Sequence, residues 1–138
     1  MVDQLRLKRR ETNVASGAAV ALVVEDTPDT RATIVTMLRV AGPKVLEAAD
    51  GQSALDLMKT SGALVDVILM DYKMPRMNGV EATQHIRRHF PNLPVLFVSA
   101  WDEPEMKKAA FEAGAVEYLV APVGYDQLVE AVSQARRR

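Results

Sequence analysis

From Val20 onward, short apolar runs alternate with segments whose apolar residues recur every three or four positions. The runs are VALVV at 20–24, KVLEA at 44–48, VDVILM at 65–70, VLFV at 95–98 and VEYLV at 116–120. Each is rich in Val, Ile or Leu, as buried parallel strands are. Between them, Ile34, Met37, Leu38 and Ala41 follow the spacing of one helix face, and so do Met106, Ala109, Ala110 and Ala113. Leu128, Val132 and Ala135 mark a last helix, and a shorter stripe marks one at roughly 51–60.

Punctuation agrees with the periodicity. Thr27-Pro28 supplies an N-cap and a proline at the first helical position. Asn78-Gly79 precedes a helix, and Gly114 can close the one before the last strand. Five strands alternating with five helices imply right-handed crossovers and an α/β fold, a parallel sheet covered on both faces. Sites in such sheets form outside the carboxyl ends of the strands, where the strand order reverses. Residues 1–18 show no sustained period and are expected to be a flexible or helical extension, leaving 19–138 as the folded domain.

The chemistry at the strand ends is unusual. Glu25 and Asp26 follow the first run, Asp71 the third, Ser99 the fourth and Ala121-Pro122 the fifth. Three carboxylates brought to one edge repel one another and raise their own pKa values unless something neutralises them. The chain has no Cys and only two His, His85 and His89, neither at a strand end, so an all-oxygen site for a hard divalent cation such as Mg²⁺ is the metal site that fits. A carboxylate beside such an ion can attack a phosphoryl group and form an aspartyl phosphate. Taken singly, Glu25-Asp26 could be a solvated turn, Asp71 a helix cap and Ser99 a loop residue. Their succession on neighbouring strand ends favours a site.

Composition narrows the class. The chain has 138 residues, 49% hydrophobic and 25% charged, typical of one soluble globular domain. No apolar run approaches the ~20 residues of a membrane span, and the N-terminal stretch MVDQLRLKRRE lacks a signal-peptide core, so a cytoplasmic location is expected. Net charge is −1, but Arg6, Lys8, Arg9, Arg10 and Arg136 to Arg138 concentrate positive charge at the ends. Residues 11–135 hold 10 basic and 17 acidic residues, a net −7. Solubilising tails account for this, and without interleaved aromatics direct DNA binding is not expected.

These residues resemble the receiver domain of two-component response regulators. LVVEDTPDTR resembles that family's first strand and acidic pair, and VDVILMDYKMPRMNGVEA its phosphoacceptor strand and loop. VLFVSA resembles its fourth strand, and AGAVEYLVAPV its fifth. The resemblance covers about residues 20–135 and implies a flavodoxin-like, doubly wound (βα)5 sandwich with strand order 2-1-3-4-5. It implies Asp71 as acceptor of a phosphoryl group from a histidine kinase or histidine phosphotransfer protein. Glu25, Asp26, Asp71 and the backbone carbonyl of Lys73 would hold Mg²⁺ or Mn²⁺, with Asp26 the more direct ligand of the pair. Ser99 would be the hydroxyl that bonds the phosphoryl group, and Tyr118 the aromatic ring that turns inward to follow it. Otherwise Tyr118 is an ordinary surface aromatic. A downstream partner or homodimer contact would use the 103–135 face with Trp101, and the domain would signal rather than act as an enzyme.

One position departs from the family. Ala121 stands where it has a nearly universal Lys before Pro, whose ammonium contacts the phosphoryl oxygens. Three readings follow: weakened or rerouted switching, a phosphorylation-independent receiver acting as an interaction module, or an engineered substitution in an otherwise ordinary receiver. For Lys73 two readings stand: partial compensation from the rim of the site, or a solvated loop residue. A haloacid-dehalogenase-type phosphatase fits less well, because it wants a second Asp at the position of Lys73.

Overall fold

A computed structural model describes residues 19–137, so the extension expected at 1–18 lies outside the described residues. Five parallel strands form one sheet in the order β2-β1-β3-β4-β5. They are β1 (Val20–Val24), β2 (Lys44–Ala48), β3 (Val67–Met70), β4 (Val95–Ser99) and β5 (Glu117–Val120). The helices between and after them are α1 (Pro28–Ala41), α2 (Gly51–Ser61), α3 (Gly79–His89), α4 (Pro104–Ala113) and α5 (Tyr125–Arg136), with a 3-10 turn at Gly62–Leu64. This is the flavodoxin-like α/β fold.

Side chains alternate across the sheet, so each strand feeds two cores. Ala21, Val23, Val67, Leu69, Leu96, Val98 and Leu119 pack with Ile34, Val35 and Leu38 of α1 and Leu128, Val132 and Ala135 of α5. Leu22, Val24, Ile68, Met70, Phe97 and Tyr118 pack on the other side with Ala54 and Met58 of α2, Ala82 and Ile86 of α3, and Ala110 of α4. The central strands β3 and β4 are buried at every position. β2 is not: it is an edge strand, pairs only with β1, and buries Ala48 alone. An apolar run can be an edge strand, and Lys44 and Glu47 are the residues in it that face water.

Helix ends are fixed by local chemistry. Asn78 and Glu81 form a reciprocal capping box at the start of α3, with bonds of 2.9 and 3.1 Å. Asp50 Oδ1 accepts from Ser53 N–H at 2.7 Å and caps α2. Gly114 ends α4 at φ 115°, where a side chain would be strained. Thr27 does stand at the N-cap of α1, but its side chain makes no capping bond. Its N–H instead donates to Glu25 Oε2 at 3.0 Å, tying the helix start to the acidic residues that precede it.

Candidate functional site

The hydrogen-bond ladder continues one residue past several strands and thereby fixes the residues beyond them. Glu25 N–H donates to the Ala48 carbonyl (3.1 Å), Asp71 N–H to the Val24 carbonyl (2.9 Å) and Ala121 N–H to the Ser99 carbonyl (2.8 Å). Glu25, Asp26 and Asp71 therefore share one edge, and one carboxylate oxygen of each lies within 4.8 Å of the others. Glu25 is buried, with 5% of its surface exposed, while Asp26 and Asp71 are half-buried.

Charge in this cluster is poorly compensated. Thr27 N–H serves Glu25, and Tyr72 N–H serves Asp71 Oδ1 at 2.8 Å. Burial nevertheless pushes the Glu25 carboxyl above its ordinary range. Burial, then the hydrogen bond and negative charge of Glu25, push Asp71 up to about 8. Arg31 pairs with Glu47, Arg76 with Asp50 and Lys107 with Asp102 rather than with these carboxylates. Arg31 also donates through Nη1 to the Glu25 backbone carbonyl at 2.8 Å, which holds the loop rather than the carboxylate. Hard oxygen donors with surplus negative charge are the donor set a small divalent cation takes.

Gly79 positions this edge from below. Its N–H donates to the Tyr72 carbonyl at 2.7 Å, closing the loop between β3 and α3. A Cβ at Gly79 would run into the backbone carbonyl of Asp71. The glycine thus lets α3 begin directly against the acidic residue.

Ser99 is almost fully buried at the end of β4, and its Oγ accepts from Trp101 N–H at 3.2 Å. Tyr118 lies inward rather than on the surface. It is 8% exposed, stacks on Phe97 at 5.9 Å, and donates through its hydroxyl to the Trp101 carbonyl at 2.6 Å. Ala121 is half-buried, precedes a cis peptide bond to Pro122, and carries no donor side chain. It lines an apolar cavity of about 310 Å³ with Thr30, Thr33, Ile34 and Met37 of α1. Lys73 is exposed, and its Nζ sits 3.4 Å from the centroid of the Trp101 ring.

Several of these relations escaped sequence reasoning. Phe97 stacks beneath Tyr118 and meets Tyr72 edge-on at 5.8 Å, giving an aromatic layer under the site. The signal was available, because Phe97 and Tyr118 are aromatics on adjacent strands and pair in register. The clamp from Arg31 to Glu25 and the contact of Lys73 with Trp101 depend on side-chain reach and had no periodic signature. A larger cavity, about 530 Å³ between α2 and α3, contains none of the acidic residues.

A doubly wound sheet with an acidic cluster at the carboxyl ends of β1 and β3 defines the class, and comparison with known proteins agrees. The chain belongs to the response regulator receiver domain family, whose profile matches residues 21–133. It is 36% identical over 117 residues to the uncharacterized transcriptional regulatory protein YrkP of Bacillus subtilis, covering 84% of this chain and 49% of that one. It is 34% identical over 116 residues to a cyclic di-GMP phosphodiesterase of Thermotoga maritima, covering 84% of this chain and 30% of that one. The chain thus spans half or less of the length of these two curated relatives. A solved structure of a putative response regulator from Chloroflexus aurantiacus superposes with a TM-score of 0.83 at 31% identity, covering 88% of this chain and 99% of that one. Receiver domains are signalling domains that bind Mg²⁺ at an acidic pocket and interact with histidine kinases and other partners. No helix among the described residues is long and apolar enough to cross a membrane.

Proposed function

We propose that this chain is a phosphoacceptor module of a two-component relay, with Asp71 as the accepting residue. The observation that carries the reading is the convergence of Glu25, Asp26 and Asp71 within 4.8 Å, with Asp71 pushed up to about 8 by burial and by Glu25. Glu25, Asp26, Asp71 and the Lys73 carbonyl would hold Mg²⁺ or Mn²⁺, with Asp26 the more direct ligand of the acidic pair. When bound, the ion would supply the positive charge that favours ionised Asp71 and offsets the charge of a phosphoryl group. The Asp71 carboxylate oxygen attacks phosphorus, a new P–O bond forms, and the P–N bond of a phosphohistidine breaks. The imidazole of the donor kinase or phosphotransfer protein leaves with that electron pair. Ser99 offers its O–H to a phosphoryl oxygen, while its Oγ keeps a lone pair for Trp101 N–H.

Ala121 makes the link from phosphate to switch weak. In place of the ammonium expected at that position stands a methyl group facing an apolar cavity. One lost charged hydrogen bond costs ~1.5–3 kcal/mol, enough to slow formation or shorten the life of the acyl phosphate without abolishing it. A second reading, a receiver that works as an interaction module without phosphorylation, draws support from Tyr118. Its ring is already inward and bonded to the Trp101 carbonyl. Under either reading the partner, or a second copy, would meet the 103–135 face. Phe111 at 46% and Tyr125 at 40% exposure offer it apolar contact there, beside Trp101 at 41%. The same proposal places the domain in the cytoplasm and assigns it no direct DNA contact.

Acetyl phosphate with Mg²⁺ separates the readings. The relay predicts modification of the native chain and stronger modification of Ala121→Lys. Modification confined to Ala121→Lys would support the interaction module, and silence in both would refute the phosphoacceptor reading.

A further inference from the structure

We propose that the Lys73 ammonium is a movable cation of the site: it rests on the Trp101 ring and transfers to the phosphoryl group on Asp71, releasing that ring. The inference rests on the phosphoacceptor reading given above and adds a residue and a readout to it. Lys73 lies two residues after Asp71, and Trp101 two residues after Ser99. Their contact, 3.4 Å from Nζ to the ring centroid, therefore bridges the two loops that follow the acceptor carboxylate and the hydroxyl. Nζ makes no salt bridge among the described residues, whereas the neighbouring Lys107 is held by Asp102.

The balance of forces favours movement. A cation–π contact between two exposed residues is weaker than charged hydrogen bonds to a phosphoryl group. A Lys stem has four rotatable carbons, so the head can swing while the backbone carbonyl stays in place. Ala121 leaves the phosphoryl oxygens without a cation from β5. Trp101 is also where the consequence would register. Its N–H bonds Ser99 and its carbonyl accepts from Tyr118, so a change in how its ring is held acts on the backbone shared by both.

Trp101 is the only Trp in the chain, so its emission reports the ring directly. The full chain, with Mg²⁺ present, is titrated with fluoroberyllate, and affinity is read independently from thermal shift. Variants are Lys73→Met, Lys73→Arg, Lys107→Met as a charge control, and Asp71→Asn. The proposal expects native emission to move on binding toward that of unliganded Lys73→Met. It expects Lys73→Met to bind about tenfold more weakly with no further emission change, while Lys73→Arg and Lys107→Met stay near native. Native emission that does not move, Lys73→Met affinity equal to native, or an equal loss in Lys107→Met overturns it. If Asp71→Asn alone then abolishes binding, the phosphoacceptor reading still stands. Absence of fluoroberyllate binding in both the native chain and Ala121→Lys overturns both together.

Discussion

Removing one charge from the acidic cluster should stabilise the metal-free protein. Asp71 in the folded chain is raised from 3.8 to about 8, chiefly by burial and by Glu25. The folded state therefore binds more protons than the unfolded one between those values, and stability falls as pH rises through that window. At about 1.4 kcal/mol per pH unit the full shift sets a ceiling of ~6 kcal/mol, and the partial exposure of Asp71 to water leaves about 2–3 kcal/mol. Asp71→Asn keeps the shape and removes the titration. In EDTA at pH 8.5 it should melt about 8 °C above the native chain, and the two should converge below pH 4. Millimolar Mg²⁺ should close most of the gap by stabilising the native chain more than the variant. Thermal denaturation followed by circular dichroism across pH measures this. A variant no more stable than native at pH 8.5 would refute the claim that the three carboxylates repel one another.

Ala121→Lys introduces an ammonium beside the site and should raise the yield or lifetime of the acyl phosphate roughly ten- to a hundredfold, read by mobility on a phosphate-affinity gel. Tyr118→Phe removes the bond to the Trp101 carbonyl and should cost about 1 kcal/mol, a drop of about 3 °C in Tm, while the stack on Phe97 persists. Gly79→Ala pushes a Cβ against the Asp71 carbonyl and should destabilise the chain by about 1–3 kcal/mol. It should also weaken Mg²⁺ binding measured by titration calorimetry, whereas unchanged affinity would show that α3 does not set the position of Asp71.

Much of the architecture was written in local patterns. Runs at 20–24 and 44–48 coincide with β1 and β2, and Leu128, Val132 and Ala135 are the buried stripe of α5. The third strand starts at Val67 rather than at 65, because Val65 still accompanies the 3-10 turn and Asp66 intervenes. Periodicity could not say that β2 is an edge, since an apolar run does not record how many neighbours it has. Nor could it separate the helix stripes from their surroundings: only Ala110 of the 106–113 set is buried. At the site, strand-end position brought Glu25, Asp26 and Asp71 together because the topology aligns those ends. What stayed hidden depends on side-chain reach, as with Arg31 on the Glu25 carbonyl and Lys73 on Trp101. The inward ring of Tyr118 was one of two orientations open to the sequence, and its in-register neighbour Phe97 supports the inward one.

The central proposal is that Asp71 accepts phosphate in a pocket with no ammonium at position 121. Borohydride trapping tests it most directly, since reduction of an aspartyl phosphate leaves homoserine at the modified residue. After treatment with acetyl phosphate and Mg²⁺, peptide mass spectrometry should locate homoserine at position 71 alone, with none in EDTA. Homoserine at another acidic position, or none at 71 in either the native chain or Ala121→Lys, would contradict the account.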